Sequence, residues 1–121
     1  MGSTGAESTV SCPMAKLMVH GGDFAKGDGW FYPGGRFVLR DKNGRPESIL
    51  LARVEAADHA SEVSLALFGG GESLRADFEC AMSEGKMGER MFIACFDDGR
   101  LLLASTDRTS FEEICASRET R

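Results

Sequence analysis

The sequence contains no apolar run that approaches the roughly 18 residues needed for a membrane-spanning helix, so we expect no membrane segment. Residues 1–11 have neither a basic start nor an apolar stretch, so we expect no secretory signal peptide. None of the four cysteines, which are Cys12, Cys80, Cys95 and Cys115, belongs to a CxxC pair. Without an export signal, reduced thiols in a cytoplasmic protein are the expected state.

Motifs for catalysis or metal binding are also lacking. Ser73 follows three glycines but has no G-x-S-x-G context, and Gly85-Lys86 lacks the following Ser or Thr of a phosphate-binding loop. The only two histidines, His20 and His59, match no common metal-ligand spacing. We therefore expect a protein that is not an enzyme and that needs no cofactor and no metal.

Positive charge is in deficit, with 14 Lys and Arg against 19 Asp and Glu, for a formal net charge of -5. A chain with no overall positive field is not expected to bind nucleic acid or an anionic membrane directly. The composition, 42% hydrophobic and 27% charged, is ordinary for one globular domain. We place a disordered tail at residues 1–12, a single β-rich domain at 13–118 and a short tail at 119–121.

Turn signals recur about every 8 to 12 residues, which indicates short strands in a barrel or sandwich. Residues 16–20 (KLMVH) are predicted as the first strand, and residues 30–32 and 36–40 flank a turn at Pro33-Gly34-Gly35. If Tyr32 pairs with Gly35, Trp30 faces Phe37 across the hairpin. This register directs Phe37 and Leu39 inward, and it directs three residues outward, namely Arg36, Val38 and Arg40.

The next hairpin is signalled by Asn43-Gly44, a strong two-residue turn cue. It predicts that residues 36–42 pair with a strand at 49–54. Pro46 weakens the start of that partner strand, because proline has no N–H to donate to the ladder. Residues 63–68 (VSLALF) alternate apolar and small residues and are predicted as another strand.

A helix is predicted at residues 72–86, after the break at Gly69-Gly70-Gly71. Leu74, Phe78, Ala81 and Met82 recur at helical spacing. A strand at residues 74–82 is the alternative, because apolar and polar residues also alternate there.

The last third has the clearest pattern. Residues 91–96 (MFIACF) and 100–106 (RLLLAST) are predicted to form a hairpin around Asp97-Asp98-Gly99, with the first strand covered on both faces. Thr109 and Glu112 have capping-box spacing at the start of a helix that ends near Arg118. Its apolar stripe, formed by Phe111, Ile114 and Cys115, must dock on the sheet because so short a helix is not stable alone.

Two stretches carry a family resemblance. Gly21-Gly22-Asp23-Phe24, with Lys26-Gly27 after it, resembles the opening of small uncharacterised bacterial domains, and MFIACFDDGRLLLASTDRTSFEEI resembles their closing strand–turn–strand–helix unit. The resemblance implies a pleckstrin-homology-like (PH-like) fold of the α+β class. In such a fold a bent antiparallel sheet or partial barrel carries a C-terminal helix, here with one short middle helix.

Two functions are compatible with these features. The first is a non-enzymatic protein-binding module of a small bacterial or phage protein, and the second is a small acidic inhibitor of the anti-CRISPR type that blocks a basic nucleic-acid-binding surface. The partner in either case is a protein, and an exposed strand edge would also be compatible with a homodimer. The candidate partner-binding residues are Trp30, Tyr32, Arg36, Arg40, Lys42 and Arg45 in the first hairpins, and Glu72, Asp77, Glu79 and Glu84 in the acidic middle segment.

Overall fold

A computed structural model describes residues 14–32, 35–84 and 90–119 of the chain. These residues form seven strands, three α helices and one 3-10 turn at Leu51–Arg53. The strands are β1 (Ala15–Gly22), β2 (Gly27–Tyr32), β3 (Arg36–Arg40), β4 (Pro46–Leu50), β5 (Val54–His59), β6 (Arg90–Phe96) and β7 (Leu101–Thr106). The helices are α1 (Glu62–Leu67), α2 (Gly71–Glu84) and α3 (Arg108–Glu119). The predicted tail at 1–12 and the turn residues Pro33 and Gly34 lie outside the described residues.

All seven strands belong to one antiparallel sheet in the order β4-β3-β2-β1-β7-β6-β5. β4 and β5 follow each other in the chain but lie at opposite edges of this sheet. Only the three residues of the 3-10 turn join them, and a link that short keeps the end of β4 close to the start of β5. The sheet must therefore curl, and it forms an antiparallel half-barrel.

The half-barrel encloses the main core on its inner face. Phe24, Phe37 and Phe96 meet there edge to face, with ring centroids 5.7 Å apart in both pairs, a favoured aromatic geometry. Other fully buried side chains of this cluster are Leu17, Phe31, Ile49, Phe92, Leu102 and Ile114. The curled sheet thus buries its inner residues against one another, and Ile114 of α3 completes the cluster.

A second apolar cluster lies on the opposite face of β6 and β7, beneath α1 and α2. α2 is a helix, as predicted, and it buries Leu74, Phe78 and Ala81, whereas Met82 is half exposed. These side chains pack with Met91, Ile93 and Leu103 of the sheet. The prediction that the 91–96 strand is covered on both faces is therefore confirmed. Among the described residues, no helix combines the length and apolarity required to cross a bilayer.

The predicted strand at residues 63–68 is wrong, because this segment is helix α1. Ser61 and Ser64 form a reciprocal capping box, in which each hydroxyl accepts a hydrogen bond from the other residue's backbone N–H. Leu65 is buried, while Val63 and Leu67 are 70% and 76% exposed. The alternation of apolar and small residues resembled a strand, but the serine pair starts a helix with one buried side.

The partner strand of β3 is also shorter than predicted, and it pairs with β3 in a different register. β4 begins at Pro46, which lies opposite Arg40, and ends before the predicted partner strand would have ended. The turn is three residues long, because the Asp41 N–H donates to the Arg45 carbonyl and Gly44 takes a φ of 84° at its last position. Proline is tolerated at this edge because its missing N–H faces away from β3.

α3 begins two residues earlier than the predicted capping box. Its N-cap is Asp107, whose Oδ1 accepts the Ser110 backbone N–H at 2.7 Å, so the assignment of Thr109 as the cap is wrong. Glu112 pairs instead with Arg108 at 3.2 Å. Ile114 is buried, and Phe111 and Cys115 are half-buried, which confirms that the stripe docks on the sheet. α3 packs against β5, β6 and the 3-10 turn.

Candidate functional site

The outer face of β2, β3 and β4 carries a mixed aromatic and basic surface. Inner and outer side chains alternate along these strands, and Phe31, Phe37 and Ile49 point into the core. Helices α2 and α3 pack on other strands, β1 for α2 and β5 and β6 for α3. We call the outer side chains and the adjoining turn the hairpin surface, comprising Trp30, Tyr32, Arg36, Val38, Arg40, Lys42, Arg45 and Leu50.

The register of this hairpin differs by one residue from the prediction for Trp30. Trp30 pairs with Val38, and Tyr32 pairs with Arg36, whereas Phe31 faces Phe37 in the core. Trp30 therefore lies on the outer face, and its predicted contact with Phe37 is wrong. The prediction that Phe37 and Leu39 point inward is confirmed by their burial. The error arose because Gly35 belongs to the turn, where its N–H donates to the Tyr32 carbonyl, and pairing starts only at Arg36.

Positive charge on the hairpin surface is not neutralised within the described part of the chain. Arg36, Arg40, Lys42 and Arg45 are all exposed, and none of them forms an ion pair with a described residue. Elsewhere, ion pairs with carboxylates are made by Lys16, Lys26, Arg53, Arg75, Arg100 and Arg108. The described cations for which no ion pair is found thus lie together on one hairpin of an acidic chain.

Local contacts hold two of these arginines on the sheet. The Arg36 guanidinium lies over the Tyr32 ring, 5.6 Å from its centroid, and Arg40 Nη1 donates to the Gly44 carbonyl at 2.9 Å. Each guanidinium has further N–H donors beyond these contacts, so each can still bind a carboxylate. Lys42 and Arg45 flank the tip of the hairpin, where Asp41 Oδ1 accepts the backbone N–H of Arg45.

A groove of about 470 Å³ runs beside these cations on the outer face. Its lining includes the apolar side chains of Trp30, Val38 and Pro46 and three charged side chains, two of them cationic, namely Lys26, Asp28 and Arg40. Apolar walls beside an arginine suit a segment that combines an apolar side chain with a carboxylate. Sequence reasoning named Trp30 and Arg40 but did not find this groove, because the wrong register placed Trp30 opposite Phe37.

The acidic candidates on α2 are largely engaged within the protein. Asp77 is half-buried and pairs with Lys26 at 3.0 Å, and Glu79 lies 3.9 Å from the Arg75 guanidinium. Glu72 is exposed at the start of α2 and lines a groove of about 670 Å³ between α1 and α2. The side chain of Glu84 lies outside the described part of the structure. The structure therefore does not bring the three described acids, Glu72, Asp77 and Glu79, together as one open anionic patch.

The side chains of His20, His59 and Cys95 are explained by contacts within the fold or by burial. His20 Nε2 lies 3.0 Å from the hydroxyl of the buried Ser105, and the exposed His59 ring meets Phe111 edge to face. Burial raises the pKa of the Cys95 thiol, which favours its protonated form. Within residues 14–32, 35–84 and 90–119, no three His, Cys, Asp or Glu side chains are placed to hold a metal ion.

A network of ion pairs lies at the β6–β7 turn. Arg100 binds Glu47 and Asp98, and Arg53 binds Asp97 and Asp98. The hydrogen bonds from the Arg100 side chain lower the pKa of Glu47, and the Arg100 backbone N–H lowers the pKa of Asp98. Both arginines have raised pKa values, Arg53 chiefly through its hydrogen bond to Asp97. Because this network joins an edge strand to a turn, it supports the fold.

Comparison with known proteins gives no assignment for this arrangement. No protein-family model, no curated protein and no solved structure matches the chain.

Proposed function

We propose that this protein is a non-enzymatic protein-binding module that docks an acidic segment of a partner on the hairpin surface. The observation that carries the proposal is a set of exposed cations that form no ion pair with any described residue, Arg36, Arg40, Lys42 and Arg45, beside Trp30 and Tyr32. Arginine, tryptophan and tyrosine are the residue types most enriched among binding hot spots.

Charge pairing favours this surface over others on the protein. A carboxylate that reaches Arg36 or Arg40 does not have to displace an internal carboxylate, whereas a ligand for Arg75 or Arg108 competes with Glu62, Glu79 or Glu112. The net charge of -5 repels an acidic partner at long range, so such a partner should bind only where positive charge is concentrated. Binding should therefore weaken as salt screens the contact.

The fold proposal is PH-like, in a small cytoplasmic protein of bacterial or phage origin. It is supported by the curled antiparallel sheet with a C-terminal helix and by the resemblance of the opening and closing stretches. Fold alone carries no function, so the binding proposal rests on the hairpin surface and not on this likeness.

The proposal is tested by comparing two variants with equal net charge. Arg36→Gln with Arg40→Gln removes two unpaired cations, and Arg75→Gln with Arg108→Gln removes two paired ones. Each tagged protein is used to capture partners from a lysate of the source cells, and bound proteins are identified by mass spectrometry. We expect the first variant to lose partners that the wild type and the second variant retain. Retention of the same partners by both variants would refute the proposal.

The alternative is a small acidic inhibitor of the anti-CRISPR type, acting through α2. Its support is the exposed Glu72 beside the groove between α1 and α2, although Asp77 and Glu79 already have internal partners. Glu72→Gln with Glu79→Gln should abolish capture if this alternative holds, and should leave it unchanged if the hairpin surface binds the partner. If this alternative holds, the captured partner should also be a basic, nucleic-acid-binding protein.

A further inference from the structure

The free edge of β4 presents backbone hydrogen-bonding groups whose direction follows from the hairpin. The Asp41 N–H donates to the Arg45 carbonyl at 2.9 Å, and the Leu51 N–H donates to the Gly35 carbonyl at 2.7 Å. Arg45 and Leu51 therefore both face β3, and alternate residues between them do the same. The intervening residues, Pro46, Ser48 and Leu50, consequently direct their backbone groups away from β3.

No strand pairs with that edge within the described residues, because β4 ends the sheet. The edge offers the N–H groups of Ser48 and Leu50 and the carbonyl groups of Pro46 and Ser48, whereas the Leu50 carbonyl belongs to the start of the 3-10 turn. Unpaired backbone groups at a sheet edge are a template for an added strand.

Side chains make the two ends of this edge chemically different. Leu50 is 58% exposed at one end and lies opposite Arg36, whose guanidinium lies over the Tyr32 ring. Pro46 at the other end lies opposite Arg40 and next to the turn that carries Lys42 and Arg45. The two ends are four positions apart, which is about 14 Å along a strand. Between them Ser48 is small and exposed, and its neighbour across the ladder is Val38. The edge thus carries its exposed apolar side chain at one end and three of the four hairpin cations at the other.

We infer that the partner binds as an extended strand added antiparallel to β4, with an apolar residue beside Leu50 and an acidic residue four positions later beside Pro46. This inference rests on the proposed function, and it specifies the ligand as an extended segment with that spacing. The antiparallel direction continues the pattern of the whole sheet. Strands lie about 4.8 Å apart, so the acidic residue is about 10 Å from the Arg40 backbone, within the combined reach of the two side chains.

A second copy of the chain fits this edge less well than an acidic segment. If two β4 strands met around Ser48, each Leu50 would lie beside the other copy's Pro46, and neither edge supplies an acid for Arg40. The two sets of unpaired cations would also be brought towards each other. Charge complementarity therefore favours a partner segment that carries a carboxylate.

The probe is an acetylated, amidated peptide of sequence Thr-Gln-Leu-Thr-Val-Gln-Glu-Thr, in which leucine and glutamate are four positions apart. Binding is followed by the fluorescence of Trp30, the single tryptophan of the chain. In the inferred register the valine exchanges both backbone hydrogen bonds with Ser48, and the N–H of the second threonine points to solvent. N-methylation of the valine should weaken binding about tenfold or more, and N-methylation of that threonine should change it by less than about twofold.

Substitutions in the protein and in the peptide complete the test. Ser48→Pro removes the edge N–H at a position where a strand tolerates proline, and it should weaken binding as the valine N-methylation does, whereas Ser48→Ala should not. Replacing the peptide glutamate by glutamine should weaken binding to the wild type and not to Arg40→Gln.

Three results would overturn the inference. They are equal effects of the two N-methylations, no saturable binding up to millimolar peptide, and a dimer of the wild type that Ser48→Pro abolishes. If the N-methylations are equivalent while the glutamate-to-glutamine change still weakens binding, the strand register is wrong and the proposed function stands. If lysate capture is also insensitive to Arg36→Gln with Arg40→Gln, the proposed function fails as well.

Discussion

The Arg100 guanidinium binds both carboxylate oxygens of Glu47, with Nη1 to Oε1 at 2.8 Å and Nη2 to Oε2 at 2.7 Å. The two residues are 53 positions apart, and they join the β6–β7 turn to edge strand β4. The guanidinium also lies over the Phe24 ring, 4.9 Å from its centroid. One paired arginine thus covers the aromatic core of the half-barrel and fastens edge strand β4, which has no second neighbouring strand within the described residues.

This pair predicts that the protein loses stability in acid. The pKa values of Glu47 and Asp98 are lowered in the folded state, chiefly by hydrogen bonds from Arg100. A lowered carboxyl pKa adds stability above the unfolded value and loses it as pH falls through the folded value. Glu47→Gln should therefore cost about 1 kcal/mol of unfolding free energy at neutral pH, a modest figure because the pair is partly exposed.

Urea denaturation at a series of pH values measures this effect. The difference between wild type and Glu47→Gln should begin to shrink as pH falls below about 4, where the carboxyl of the unfolded chain protonates, and should disappear once pH has fallen through the lowered pKa of the folded state. Glu72→Gln is the matched control, because Glu72 is exposed, and it should change stability by less than about 0.5 kcal/mol. A pH-independent difference would contradict the role assigned to the pair.

Ile114 should anchor α3 to the half-barrel. Its side chain is fully buried in the main core cluster, so Ile114→Ala should lower the unfolding free energy by about 2 to 5 kcal/mol through lost burial and the cavity left behind. Leu67→Ala, at a residue that is 76% exposed, should cost less than about 0.5 kcal/mol. Equal losses in denaturant titrations would show that α3 does not close the core.

Asp107 should be the cap of α3. Asp107→Ala removes the acceptor for the Ser110 N–H and should cost about 1 kcal/mol, whereas Thr109→Ala, inside the first helical turn, should cost much less. Thermal unfolding followed by circular dichroism compares the two variants directly. A larger loss of stability for Thr109→Ala would instead support Thr109 as the N-cap, as the sequence predicted.

Gly22 should tolerate a side chain less well than Gly44. Both have positive φ, 95° and 84°, but a Cβ on Gly22 would lie 2.3 Å from the Leu101 carbonyl oxygen, while the space at Gly44 is open. Gly44→Ala should cost about 1 to 2 kcal/mol of backbone strain, and Gly22→Ala should cost more because the β1–β7 pairing must also shift. Similar urea-unfolding midpoints for the two variants would contradict an added steric clash at Gly22.

Much of the fold was predictable because its signals are local. The β6–β7 hairpin, helix α2 and the docked helix α3 each show apolar periodicity over several residues, bounded by glycine or capping residues. The errors occurred where two local signals competed. Apolar alternation at residues 63–68 outweighed the Ser61–Ser64 cap, and the turn at Gly35 moved the register of Trp30 by one position.

For the candidate site, the sequence indicated residue types and a region. Arg36, Arg40, Lys42 and Arg45 stand out in an acidic chain, as do the aromatic residues before them. Their freedom from ion pairs could not be predicted, because pairs such as Glu47–Arg100 and Lys26–Asp77 join positions that lie far apart in the chain. The pairing of Asp77 with Lys26 was equally hidden, whereas the Arg75–Glu79 pair lies four positions apart on α2, a spacing that the sequence shows.

The sequence by itself determined the elements of the last third and the covered strand at 91–96, since burial on both faces requires apolar residues at every position. It also determined that positive charge collects on one hairpin. Only the tertiary structure decided that β4 ends the sheet within the described residues, that Trp30 lies outside, and which described cations have no ion-pair partner. These properties depend on strand pairings and side-chain contacts between residues far apart in the chain, and no short window of residues encodes such contacts.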